Sequence, residues 1–204
     1  MRLRSFLCSA ILLICVRVTA EAHQPRLVTG NKTEVKNPEV SQAFYAELRG
    51  KAQRYVIGAK DHFSLYVQLT IPDHKDMRRD FKVTISLGKK IIAKIDGDKA
   101  KWKRFYEPFG GDYYLLGPDF DQANSEHGKY SIEVSNRGNT GKYVLVFGKK
   151  EQFPPAEMMR TMSIMPKVKE FMRPPSKPVK TEKSPCPSAE SGRKDAGGKT
   201  TKRQ

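Results

Sequence analysis

Cysteine is nearly absent: the 204-residue chain has three, and Cys8 and Cys15 lie close to its start, leaving Cys186 alone downstream. A folded part with no cysteine pair cannot be a disulfide-stapled scaffold, so its apolar core must hold it together. Histidine is equally sparse, and His23, His62, His74 and His127 stand at no metal-ligand spacing. There is no His-Glu-x-x-His pair, nucleophile elbow, Walker loop or paired-cysteine motif. The expectation is a chain with no catalytic residues, no metal centre and no cofactor, not an enzyme. Long apolar runs are missing too. The longest, residues 6–16, is well short of the roughly 20 residues needed to span a bilayer.

That run is nonetheless informative. Arg2 and Arg4 precede it, and Ala20-Glu21-Ala22 follows as a small-residue cleavage site. This is the layout of a secretory signal peptide over residues 1–22. It implies a secreted protein, extracellular or periplasmic, or passing through the endoplasmic reticulum in a eukaryotic host, where Asn31-Lys32-Thr33 would be a glycosylation sequon. Cys186 is then either free or paired with another molecule. The formal net charge is +16, and residues 173–204 hold nine Lys or Arg against three acids. Basic proteins outside the cytoplasm meet polyanions: acidic glycan, wall polymer, anionic surface or exported nucleic acid.

Residues 23–41 are polar and proline-bearing, which predicts an irregular lead-in. From residue 42 strand signals recur about every ten residues. In residues 63–71, Phe63, Leu65, Val67, Leu69 and Ile71 form one face of an alternating run stopped by Pro72. Residues 81–87 and 91–95 read as a hairpin about Gly88. Gly117-Pro118 opens a polar loop. In residues 128–151, Tyr130, Ile132 and Val134 alternate in one run and Tyr143, Leu145 and Phe147 in the next, with Val144 and Val146 on the opposite side of the second. Two such runs joined by Asn136, Gly138, Asn139 and Gly141 predict a β-hairpin whose second strand is buried on both faces. The whole predicts an all-β fold: an antiparallel β-sandwich of jelly-roll or Greek-key type, about eight or nine strands, over residues 42–153. A short helical segment, 154–172, follows. Met158, Met162 and Met165 recur there at helical spacing, and Pro166 is expected to end the helix. The remainder, 173–204, is a basic Pro-, Lys- and Ser-rich tail too polar to fold.

Residues 99–114 interleave Lys103 and Arg104 with Trp102, Tyr106, Tyr113 and Tyr114. Aromatic faces stack on sugar rings while neighbouring cations meet carboxylate or sulfate, so these six residues form a candidate ligand surface. The same alternation also describes aromatics filling the sandwich with lysines on its wet side. The methionines admit two readings as well, packing on an open end of the sandwich or presenting a partner-binding surface. Asp96, Asp98, Asp119, Asp121, Asn124 and Glu126 are oxygen-rich loop residues, either solvated or weak calcium ligands.

Glu107-Pro108-Phe109-Gly110-Gly111, Gly128-Lys129-Tyr130, Gly141-Lys142-Tyr143-Val144-Leu145 and Glu151-Gln152-Phe153 together resemble a poorly characterised group of exported β-sandwich domains. The paired glycine-then-tyrosine strands are also similar to bacterial pre-peptidase C-terminal domains, jelly-roll-like appendages of secreted enzymes. That resemblance implies a non-catalytic binding or accessory domain, sometimes with loop calcium. It carries no catalytic residue across, and no catalytic domain accompanies it here. The function expected is a secreted binding protein that contacts an envelope or extracellular polyanion or glycan. The alternatives are a protein-interaction module working through the methionine helix and tail, and a metal-dependent enzyme.

Overall fold

The computed structural model describes residues 23–174. The expected signal segment and nearly all of the expected tail, Cys186 included, lie outside the described residues. The chain divides into two units, Met1–Pro174 and Pro175–Gln204, and the described residues belong to the first.

Two sheets make a β-sandwich. One has six strands in the order β1 (Gln24–Leu27), β3 (Gln42–Arg49), β11 (Thr140–Phe147), β5 (Phe63–Pro72), β9 (Asp112–Ser125), β8 (Lys103–Glu107). The other has five, in the order β2 (Lys32–Glu34), β4 (Gln53–Ala59), β10 (Gly128–Ser135), β6 (Lys82–Leu87), β7 (Lys90–Asp96). Period-2 alternation turns one face of each sheet inward. The six-stranded sheet supplies Phe44, Leu65, Val67, Leu69, Leu145 and Phe147, and the five-stranded sheet Ile57, Val83, Ile85, Ile132 and Val134, all buried in one core. Burying each such side chain contributes about 1.5–3 kcal/mol, which is how the fold stands without a disulfide.

Residues 128–151 are not a hairpin. β10 pairs with β4 and β6, whereas β11 pairs with β3 and β5 in the opposite sheet. Alternation records only that each run turns one face to the core, and two strands facing each other across it read identically to two strands side by side. The linker is a corner. Asn139 and Gly138 take positive φ there, and Arg78 secures it by donating to Thr140 Oγ1 at 3.0 Å and to the Arg137 carbonyl at 2.9 Å. The predicted double burial of β11 does hold, since Val144 and Val146 are buried beneath a helix on the sheet's outer face.

Three other expectations change. The lead-in contains β1 and β2, which join β3 and β4 in parallel at the sheet edges. Held by backbone hydrogen bonds at an edge that tolerates Pro25, they show too few apolar residues for a pattern. The polar loop after Gly117 is instead the second half of β9. It runs beside β5 with a register shift between Gln68 and Thr70, opposite Gly117-Pro118. Beyond Leu116, β8 no longer flanks it, so a proline and alternating polar residues are tolerated. Finally, α1 (Pro155–Met172) passes through Pro166. The lost backbone hydrogen bond is outweighed because Val168 and Met172, beyond the proline, bury against Ala43, Tyr45, Val144 and Val146. The helix therefore lies across the outer face of the six-stranded sheet rather than on an open end.

After β11 the chain folds back on the residues before β3. Lys150 N donates to the Glu39 carbonyl at 2.9 Å, and Gly148 lies at φ +67 with room for a hydrogen only: a Cβ would sit 2.4 Å from the Glu39 carbonyl.

Candidate functional site

β8 and β9 form an antiparallel hairpin at one edge of the six-stranded sheet, with Tyr106 opposite Tyr113 and Phe105 opposite Tyr114. Its strands divide the predicted aromatic-basic segment between two faces.

On the first face, Tyr106 and Tyr113 are both exposed, with ring centroids 4.9 Å apart. The Arg104 guanidinium carbon lies 3.7 Å above the Tyr113 ring. Arg104 Nε donates to Asp73 Oδ2 at 2.5 Å, and this hydrogen bond holds the guanidinium above its ordinary pKa. Asp73 takes the Nε–H and thereby orients the planar group. At the tip, the Glu107 carboxylate accepts from Phe109 N at 2.8 Å and Gly110 N at 2.5 Å. This closes the turn and leaves the Phe109 ring exposed.

The second face is covered. Tyr114 is buried, and its hydroxyl lies 3.0 Å from that of Tyr45. Burial is the main cause that raises both phenols, Tyr45 to about 12 and Tyr114 higher still. Phe105, Leu116, Met165 and Val168 line a cleft between this face and α1, with about 40 Å³ of open space. That is room for about three waters, so the cleft is a packing seam with α1 and not a ligand pocket.

Of the six predicted ligand-surface residues, Arg104, Tyr106 and Tyr113 come together. Lys103 is exposed but alternates to the other side of β8. Tyr114 is a core residue, and Trp102 is a strut. The Trp102 indole N–H donates to the Gly97 carbonyl at 3.1 Å, and its ring lies so close to Gly117 that a Cβ there would meet it at 2.7 Å. Phe109, an aromatic of the same segment, stands exposed at the turn between Pro108 and Gly110. Asp73 escaped the sequence reading, because nothing local announces its bond to Arg104.

Met158 and Met162 point outward from α1, together with Met159, while Met165 packs inward against the sheet. The helix is stapled along its length. Arg26 pairs with Glu157 at 2.7 Å, Lys169 with Asp112 at 2.9 Å, and Lys142 Nζ donates to the Phe171 carbonyl at 2.9 Å. Of the oxygen-rich residues, Asp96 caps the 3₁₀ turn Gly97–Lys99 by accepting from Asp98 N, and Asp121 pairs with Lys149. Among the described residues no group of three His, Cys, Asp or Glu side chains is placed to hold a metal ion.

No family model matches the chain, and no curated protein matches it. Among solved structures it is similar to the pre-peptidase C-terminal domain of a collagenase from Bacillus anthracis, at 10% identity and a TM-score of 0.33. The match covers 62% of this chain and 95% of that one. It is the kind of domain named above from the glycine-then-tyrosine strands.

Proposed function

We propose that the protein is a non-catalytic binding module that holds an acidic glycan against the exposed face of the β8–β9 hairpin. The observation that carries this reading is the placement of Arg104 directly over the exposed Tyr113 ring, with Tyr106 beside it. A sugar presents an apolar C–H face that an aromatic ring covers, here that of Tyr106 because Arg104 already lies over one face of Tyr113, and a uronate or sulfate on that sugar needs a cation close by. Arg104 is such a cation, with its orientation fixed by Asp73 rather than by the ligand, so less side-chain entropy is lost on binding. Phe109 extends the apolar surface at the turn, and the net positive charge of the chain favours approach of a polyanion.

Heparin serves as the test polymer. Each stacking ring is expected to contribute about 1–3 kcal/mol, so Tyr106→Ala with Tyr113→Ala should elute from immobilised heparin at clearly lower salt than the native protein. Trp102→Phe, which alters a strut, should elute unchanged. Equal retention of the native protein and the double variant would reject the hairpin as the binding face.

A further inference from the structure

α1 turns two sets of methionines in opposite directions. Met165 and Met172 pack inward with Ile164 and Val168. Met158, Met159 and Met162 face outward and are 53%, 73% and 69% exposed. A thioether sulfur is a poor hydrogen-bond acceptor but a good ligand for a soft metal ion, so three of them side by side in solvent are a set of ligands. Side chains three and four apart on a helix start about 5–6 Å from each other, and Met162 stands in that relation to both Met159 and Met158. The side chain is unbranched and turns about several bonds, which lets the three sulfurs close on one point while the helix backbone stays where it is.

The harder ligands of the same turns are already engaged. Glu157 is paired with Arg26 at 2.7 Å and with Arg160 at 2.6 Å. Arg160 is drawn toward β1, where its Nη2 donates to the Pro25 carbonyl at 2.7 Å. The Ser163 hydroxyl donates to the Arg160 carbonyl at 2.7 Å, and Thr161 is buried on the inner side. Glu170, the other acid of α1, lies about two turns beyond Met162. The side-chain ligands that these turns leave open on the outer face are therefore sulfur.

We propose that Met158, Met159 and Met162 form a binding site for a single copper(I) ion. Carboxylate and carbonyl oxygens select calcium and magnesium, and imidazole or thiolate suits zinc, whereas neutral thioethers suit a soft ion of low charge. The site lies outside the His, Cys, Asp and Glu groupings considered above. The ion enters and leaves as copper(I), with no electron transferred, and its exposed position requires no opening of the sandwich. The pairings of Arg26 with Glu157 and of Lys169 with Asp112 hold the helix on the sheet, so the ligands sit on a fixed support. The site does not draw on the Arg104–Tyr113 face, and the two proposals stand or fall independently.

The experiment titrates the full chain with copper(I), under ascorbate and without oxygen, and follows the methionine methyl groups by carbon-13 NMR. The chain carries Cys8→Ser, Cys15→Ser and Cys186→Ser, so that no thiol competes for the ion. The methyl resonances of Met158, Met159 and Met162 should shift together and saturate at one ion per chain, while that of Met77 stays in place. Zinc should leave the three unmoved. Changing the three to Leu keeps the face apolar and helical and removes its sulfur, and this variant should lose the copper(I) with an unchanged circular-dichroism melt. The Tyr106→Ala/Tyr113→Ala variant should take up the ion like the native protein. Three resonances that ignore copper(I), an equal response to zinc, or uptake by the leucine variant as strong as the native would each overturn the proposal.

Discussion

Tyr55 on β4 and Tyr143 on β11 reach toward each other from opposite sheets, and their hydroxyls lie 3.0 Å apart at the centre of the core. Both side chains are fully buried, and burial is the main cause that raises both phenols well above the ordinary value. Changing Tyr55 to Phe leaves the Tyr143 hydroxyl in an apolar core without that partner, and the converse change does the same to Tyr55. An orphaned buried hydroxyl costs about 1–3 kcal/mol, and each single variant should lose that much stability. The double variant removes both polar groups while keeping both rings, so it should be close to the native protein and more stable than either single variant. The ring contacts of Tyr55 with Phe44 and Phe147, and of Tyr143 with Phe81, survive in all four proteins, which isolates the hydroxyl pair. Urea denaturation of the four proteins gives the coupling directly, and thermal melts should shift by about 2–4 °C per kcal/mol for a domain of this size. Losses that simply add in the double variant would refute the reasoning, because they would mean that the hydroxyls act independently.

The four phenols Tyr45, Tyr55, Tyr114 and Tyr143 all titrate above their ordinary value when folded. The unfolded chain therefore ionises first on raising the pH. The stability linked to Tyr45 is fully present below about pH 10 and is lost as the pH climbs toward its folded value of about 12. The unfolding free energy read from urea denaturation should fall above pH 10 by up to about 1.4 kcal/mol per pH unit for each phenol, with a shallower fall for Tyr45→Phe; a flat profile to pH 11 would contradict the burial assigned to these rings. Gly148 and Gly50 both have positive φ, but only Gly148 has backbone in the way of a Cβ. Gly148→Ala should cost at least about 2 kcal/mol and Gly50→Ala about 1, as read by urea denaturation. Equal losses would show that the Glu39 contact does not constrain the chain.

Much of the fold is legible in the sequence wherever burial is one-sided. Phe63, Leu65, Val67 and Leu69 announce β5 because every second residue meets the core. Partnership is not legible, because Tyr130 and Tyr143 carry the same alternation whether their strands lie side by side or face to face. β1 and β2 leave no pattern, being held by backbone hydrogen bonds that any side chain permits. The site was half legible for the same reason. Alternation along β8 and β9 separates Tyr113 from Tyr114, but which side is wet depends on α1, which comes from residues far along the chain and covers the side that carries Tyr114. Trp102 misled because a lone tryptophan beside lysines looks like a platform, while the two small residues that admit its ring, Gly97 and Gly117, lie on either side of it in the sequence.

The position of β11 has a consequence for how the protein is made. It is the last strand among the described residues, yet it sits in the middle of its sheet, between β3 and β5. Until residues 140–147 are available, β1 and β3 have no lateral connection to β5, β9 and β8, and one wall of the sandwich is two unjoined pieces. Closure of that wall awaits contacts between residues far apart in sequence, which makes for slow and late folding. A nascent chain of this design leaves that wall open until β11 has been made, and α1 can cover its outer face only afterwards.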